Sequence, residues 1–143
     1  MKASNLVLLK TVLLALFILQ IHKPYLVNIG VTGKWGYPMN DNNRDYWPAY
    51  HSCVFQSNHS YDTVLVDGRF RISCILHACL YCPQDTKILI HDFFNRPNYY
   101  VVLPFLKLEE RADTLGLFSI KQDTSLKHLA KEYISIYEYL PGF

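Results

Sequence analysis

Two short apolar bursts, each cut off by an acid, constrain this chain more than any other feature. Thr63-Val-Leu-Val66 stops at Asp67, and Lys87-Ile-Leu-Ile90 stops at His91 and Asp92. A continuous run of β-branched and aliphatic residues this short, bounded by polar residues, is the pattern of a buried parallel strand. Open α/β sheets place ligands beyond the carboxyl ends of their strands. The two runs therefore predict that Asp67, Arg69, His91 and Asp92 share one rim.

The remaining periodicity alternates around these runs. Tyr25 to Ile29 reads as a strand ended by Gly30, and Asp45 caps a helix that runs to about Gln56. Ile72, Ile75, Leu76, Cys79 and Leu80 recur at helical spacing, which predicts a helix over 69–82. Arg69 and Arg71 fall in its first turn, where a cation opposes the helix dipole, so an anionic partner is expected there: Asp67, Asp92 or a ligand. Val101, Val102, Phe105, Leu106 and Leu108 predict a helix over 98–111, kinked or delayed by Pro104, then a strand over 117–120 and an amphipathic helix over 125–133. Strands alternating with helices in a chain of 143 residues predict one α/β domain over 24–143: a partial doubly wound, mainly parallel sheet of about four strands.

Residues 1–23 form a separate apolar segment, expected to be a helix, with Val12 to Leu19 uninterrupted and Lys10 splitting the longer run over 6–21. The run is shorter than the ~20 residues of a spanning helix. Lys2 and Lys10 ahead of it resemble the start of a signal peptide, yet no small-x-small cleavage site follows. A signal or anchor that places the chain at a membrane or in the secretory route, a helix packed on the sheet of a cytoplasmic protein, and a truncated gene product all remain open. Asn58-His-Ser60 is a glycosylation sequon that matters only on the secretory route. The net charge of +2 and the lack of any basic stripe do not point to a nucleic-acid partner.

Residues 31–46 form a long loop rich in Gly, Asn and aromatics, bracketed by Trp35 and Trp47, which either line a ligand pocket or pin the loop down. Cys53, Cys74, Cys79 and Cys82 include one lone C-x-x-C with no second pair, so they are expected to be small buried hydrophobes rather than a zinc or redox site.

The series Val27-Asn-Ile-Gly, Lys34-Trp-Gly-Tyr-Pro, Val64-Leu-Val-Asp-Gly-Arg-Phe-Arg and Ile88-Leu-Ile-His-Asp-Phe, followed by Arg96 and Tyr99, resembles a group of largely uncharacterised proteins whose fold is similar to class I S-adenosylmethionine-dependent methyltransferases. The resemblance covers roughly residues 25–120. It implies S-adenosylmethionine as cofactor. By analogy with sugar and catechol O-methyltransferases, it also implies a divalent metal such as magnesium on Asp67 and Asp92, although His91-Asp92 departs from the acid pairs of those enzymes. No Gly-rich turn of the cofactor-binding kind is present in the sequence. The resemblance therefore extends only to the C-terminal half of the fold and leaves a sheet edge open to the N-terminal segment or a partner chain.

The expected function is O-methyl transfer to a small molecule or sugar, with His91 as general base or substrate donor, Asp67 positioning it, and Asp92 beside it. Arg69 and Arg96 clamp a carboxylate or phosphate of the substrate, and Trp35 lines its pocket. The alternative is a non-catalytic, membrane-tethered remnant or interaction module, in which these acids only cap turns and pair with the nearby arginines.

Overall fold

The computed structural model describes residues 25–57, 59–121 and 123–143. The apolar segment 1–23 and the sequon residue Asn58 lie outside them, so the expectations placed there are not addressed. Among the described residues no helix is long and apolar enough to cross a membrane.

Four strands make one sheet: β1 (Thr63–Val66), β2 (Lys87–Ile90), β3 (Leu106–Ala112) and β4 (Leu115–Ile120), in the order β1-β2-β4-β3. The two apolar bursts do lie side by side and parallel, Thr63 opposite Lys87 and Val66 opposite Ile90. Both strands therefore end at the same rim.

The rest of the sheet departs from a mainly parallel one. β4 inserts antiparallel between β2 and β3, and β3 forms an antiparallel hairpin with it. The expected helix over 98–111 is instead a 3-10 turn, Pro97–Val102, followed by strand β3. Pro104 cannot supply a helix-interior N–H. Phe105 and Leu106 turn inward at the start of the strand, while Lys107 to Ala112 face solvent. Residues 25–30 join no strand; the Gly30 amide donates to Asn28 Oδ1 in a local turn with Gly30 at φ 98°.

Helices α1 (Trp47–Ser52), α2 (Arg71–Tyr81) and α3 (Thr124–Tyr137) complete the domain. α2 buries Ile72, Ile75 and Leu76 completely against Val66, Ile88, Ile90 and Phe118 of the sheet. Each such side chain contributes roughly 1.5–3 kcal/mol on burial. α3 starts at Asp123, whose carboxylate accepts from the Ser125 amide, and packs Leu126, Leu129 and Ala130 on the same core. Because strand side chains alternate between faces, Leu65, Leu89 and Leu117 stand in register on the opposite face, outside that core. α2 and α3 thus pack on the same face of the sheet.

A second small cluster ties the 25–46 segment down. Trp47 donates from Nε1 to the Ile29 carbonyl at 3.1 Å, and its ring meets Phe70 at 5.5 Å. Phe70 is fully buried there in a left-handed conformation, φ 53°, directly before α2.

Candidate functional site

A cleft of about 610 Å³ opens beyond the carboxyl ends of β1 and β2, lined by Trp35, Tyr37, Asp67, Gly68, Arg69, Arg71, His91, Asp92 and Arg96. All six residues singled out from the sequence, Asp67, Arg69, His91, Asp92, Arg96 and Trp35, reach this one space. The parallel register accounts for the acids: β1 and β2 end level, so the first residues after them are neighbours.

Asp67 Oδ1 lies 3.2 Å from His91 Nδ1, and Asp92 Oδ1 lies 3.6 Å from the same nitrogen. The imidazole is half exposed to the cleft. With Nδ1–H given to Asp67, a neutral ring keeps Nε2 as its acceptor.

Arg71 organises the floor. Its side chain is only 5% exposed, and it donates from Nε to the Gly68 carbonyl at 2.9 Å and from Nη1 to the His91 carbonyl at 2.7 Å. Nη2 meets Asp67 Oδ1 at 3.2 Å, and Nη1 approaches Asp92 Oδ2 at 3.9 Å. One planar guanidinium therefore ties together both strand-end turns, a task that suits its fork of fixed donors. The sequence marked Arg71 only as a cation against a helix dipole; the fold shows why it stands there.

Asp92 has φ 57° and Trp35 φ 61°, so two cleft-lining residues that are not glycine occupy the left-handed region. Such strain costs of order 1–3 kcal/mol per residue and concentrates at functional sites. The Asp92 carboxyl is pulled in two directions. Its partial burial raises its pKa, while His91, Arg96, Arg71 and Asn95 together bring it below the ordinary value. Arg96 reaches Asp92 Oδ2 from the rim at 3.4 Å.

The wall opposite is aromatic and cationic. Arg69 lies over the Tyr37 ring at 4.3 Å, and Trp35, with 76% of its surface exposed, carries Lys34 over its ring at 5.5 Å. The two tryptophans thus divide the roles expected of the pair: Trp47 pins the loop and Trp35 lines the opening.

The expected metal ligation by Asp67 and Asp92 is not what the cleft builds. The described residues contain no group of three or more His, Cys, Asp or Glu side chains arranged to hold a metal ion. Arg71 and His91 already engage Oδ1 of Asp67, and His91, Arg71 and Arg96 engage both oxygens of Asp92, which leaves few carboxylate oxygens for a hard cation. The four thiols are free. Burial pushes Cys74 and Cys79 up to about 12 and Cys82 up to about 11; all three pack partly buried against the core rather than inside it.

No protein-family model and no curated protein sequence matches the chain. Among solved structures, the chain is similar to a methyltransferase-like protein from Silicibacter pomeroyi, with a TM-score of 0.67 and 24% identity over 87% of this chain and 69% of that one. At that identity the likeness is one of fold: the mixed four-stranded sheet with its helices is methyltransferase-like and Rossmann-like.

Proposed function

We propose that the cleft beyond β1 and β2 binds the acceptor of a methyl-transfer reaction, a small molecule carrying a hydroxyl and an anionic group. The observation that carries this reading is the His91 Nδ1 to Asp67 Oδ1 contact of 3.2 Å inside a cleft bordered by arginines, on a methyltransferase-like fold.

His91 is the group that takes the acceptor proton, at Nε2. Asp67 holds the other ring nitrogen and stabilises the imidazolium once it forms. Arg69 and Arg96 stand on the rim, where their guanidinium groups orient a carboxylate or phosphate. The exposed Trp35 ring covers the acceptor's apolar part. Asp92 is engaged by Arg96 and Arg71, which gives it the task of fixing the floor rather than exchanging protons.

S-adenosylmethionine, when bound to proteins of this kind, supplies an electrophilic methyl group. The described residues contain no glycine-rich turn after a strand to cradle it, so no residue is assigned to hold it and no step is routed through it.

The test has two arms. Titration calorimetry of the full chain with S-adenosylmethionine should give a micromolar-range Kd; no heat at millimolar cofactor overturns the reading for this chain. Transfer of a labelled methyl group to a panel of hydroxy-carboxylates and phosphate esters should then fall about 10²–10⁴-fold in His91→Asn. Transfer unaffected by that change removes His91 from the chemistry.

A further inference from the structure

The sheet has two edges, and they are built differently. β3 carries Lys107, Glu109, Glu110 and Arg111 in solvent, and its pairing with β4 shifts register between Leu108 and Glu110. Charges and a bulge are the usual means of keeping other strands away from an edge. β1, at the opposite edge, is Thr-Val-Leu-Val, with no charge, no proline and no bulge.

Among the described residues no strand pairs with its outward edge. Val66 accepts from the His91 amide and Asp62 from the Lys87 amide, so the even-numbered residues pair with β2. Thr63 and Leu65, between them, turn their N–H and C=O groups away from it. Leu65 is 40% exposed.

Beside this edge runs a mostly apolar groove of about 470 Å³, lined by Tyr50, Val54, Phe55, Val64 and Leu65 and sharing Asp67, Gly68 and Arg69 with the cleft. Tyr25, Leu26 and Val27, the first described residues, also line it. Leu26 is 95% exposed at its mouth. The chain therefore enters the described structure at the groove itself.

We infer that residues 12–19 of the same chain dock along the open edge of β1 and fill this groove. Three observations select this occupant. Val12 to Leu19 is an unbroken apolar run, matched in character to an uncharged edge and an apolar groove. Only residues 20–24 separate it from Tyr25, a tether with a reach of roughly 17 Å, against the roughly 13 Å length of a four-residue strand. A tethered segment also acts at millimolar-scale effective concentration, which a second copy or a separate partner does not match in dilute solution. Strand addition of this kind supplies main-chain hydrogen bonds to the edge while side chains fill the neighbouring pocket.

Two measurements on the full chain test the inference, and both are read at Leu65 rather than at a residue of the proposed chemistry. In residue-resolved amide hydrogen exchange, Leu65 should exchange at least about tenfold faster in the double variant Leu14→Asp, Leu16→Asp than in the parent, with Leu89 unchanged. Equal Leu65 rates in the two proteins overturn the proposal. Should the double variant fail to fold, a photo-crosslinker at the exposed position 65, as Leu65→benzoylphenylalanine, gives an independent answer. Crosslinks from position 65 to residues 12–19 of the same chain support docking. Crosslinks only elsewhere in the chain, to a second copy or to added phospholipid vesicles overturn it.

Discussion

Arg71 reaches from the first turn of α2 to the backbone carbonyl of His91, 2.7 Å away on the neighbouring strand end, while its Nε holds the Gly68 carbonyl. The two residues are twenty positions apart in sequence. Their contact fixes the level at which β1 and β2 present their terminal acids, so the geometry of the cleft depends on a side chain that is almost wholly buried beneath it.

Replacing Arg71 by Ala should therefore disturb both stability and the site. It leaves two carbonyls and the Asp67–Asp92 pair without their common donor, at a cost of about 2–4 kcal/mol once the solvent exposure of the two acids is allowed for. Arg71→Lys keeps the charge but loses the fork, and should recover less than half of that loss. Urea denaturation of the three proteins measures the difference; equal midpoints for Lys and Ala would mean that geometry matters more than charge here, and no loss in either would remove Arg71 from the role.

Asp67 lends itself to the opposite prediction. Its carboxylate is 49% exposed, so its pairs with Arg71 and His91 contribute only about 0–1 kcal/mol to folding. Asp67→Asn should unfold within that margin of the parent. Its effect belongs to His91: without an anion at Nδ1 the ring loses the partner that fixes its tautomer. Methyl transfer to an acceptor should drop by one to several orders of magnitude with KM for that acceptor little changed. An unchanged kcat would assign Asp67 to turn capping alone.

How much of this was legible in the sequence follows from which physical signals are local. β1, β2 and α2 are readable because both strands are continuously apolar and because Ile72, Ile75 and Leu76 fall on one helical face, although β1 lies at the sheet edge and buries only Val66 rather than the whole strand. The meeting of Asp67, His91 and Asp92 followed from those strands alone. β3 was missed because an edge strand with charges at Lys107, Glu109, Glu110 and Arg111 has neither an apolar run nor clean alternation, while Val101, Val102 and Phe105 imitate helical spacing. The antiparallel insertion of β4 depends on that missed hairpin, so the direction of half the sheet was out of reach. Arg71 as a two-strand staple is a long-range relationship, visible beforehand only as a charge in an unfavourable place.

Gly116 tests the packing of that hairpin. A Cβ at this position would run into the Phe118 ring and would lie 3.3 Å from Phe94, whose ring in turn carries Arg111 at 4.1 Å. Phe118 is fully buried and meets Phe93 at 4.7 Å, so it has no room to retreat. Gly116→Ala should destabilise the protein by about 1–3 kcal/mol through overpacking. A thermal midpoint within a degree of the parent would show that the Phe118 ring can move after all.

The largest pH effect should come from a histidine pair remote from the cleft. His51 of α1 and His77 of α2 face each other at 4.7 Å within a wall of Phe55, Phe70 and Tyr81. Burial and then the neighbouring His77 lower the His51 pKa to about 4, against a partial opposing effect from the Glu138 carbonyl. His77 is lowered as well, by burial, with the Ser73 carbonyl opposing. Both rings are thus held neutral in the folded chain, whereas the unfolded chain binds protons near pH 6.5. Below that value the unfolded state gains protons that the folded state refuses, so stability is full above about pH 7 and falls as the pH drops toward 4. His51 can contribute at most about 1.4 kcal/mol per pH unit across that interval, and His77 adds in the same direction. The lowered carboxyls of Asp92, Glu109 and Asp123 add to the decline in the same direction only near and below about pH 5, so the histidine part is read between pH 7 and 5. Urea midpoints measured from pH 7.5 down to 4.5 should therefore decline steadily. His51→Leu, which also removes the buried and unpartnered Nδ1, should flatten the decline by about half. A variant with the same slope as the parent would place the acid sensitivity elsewhere in the chain.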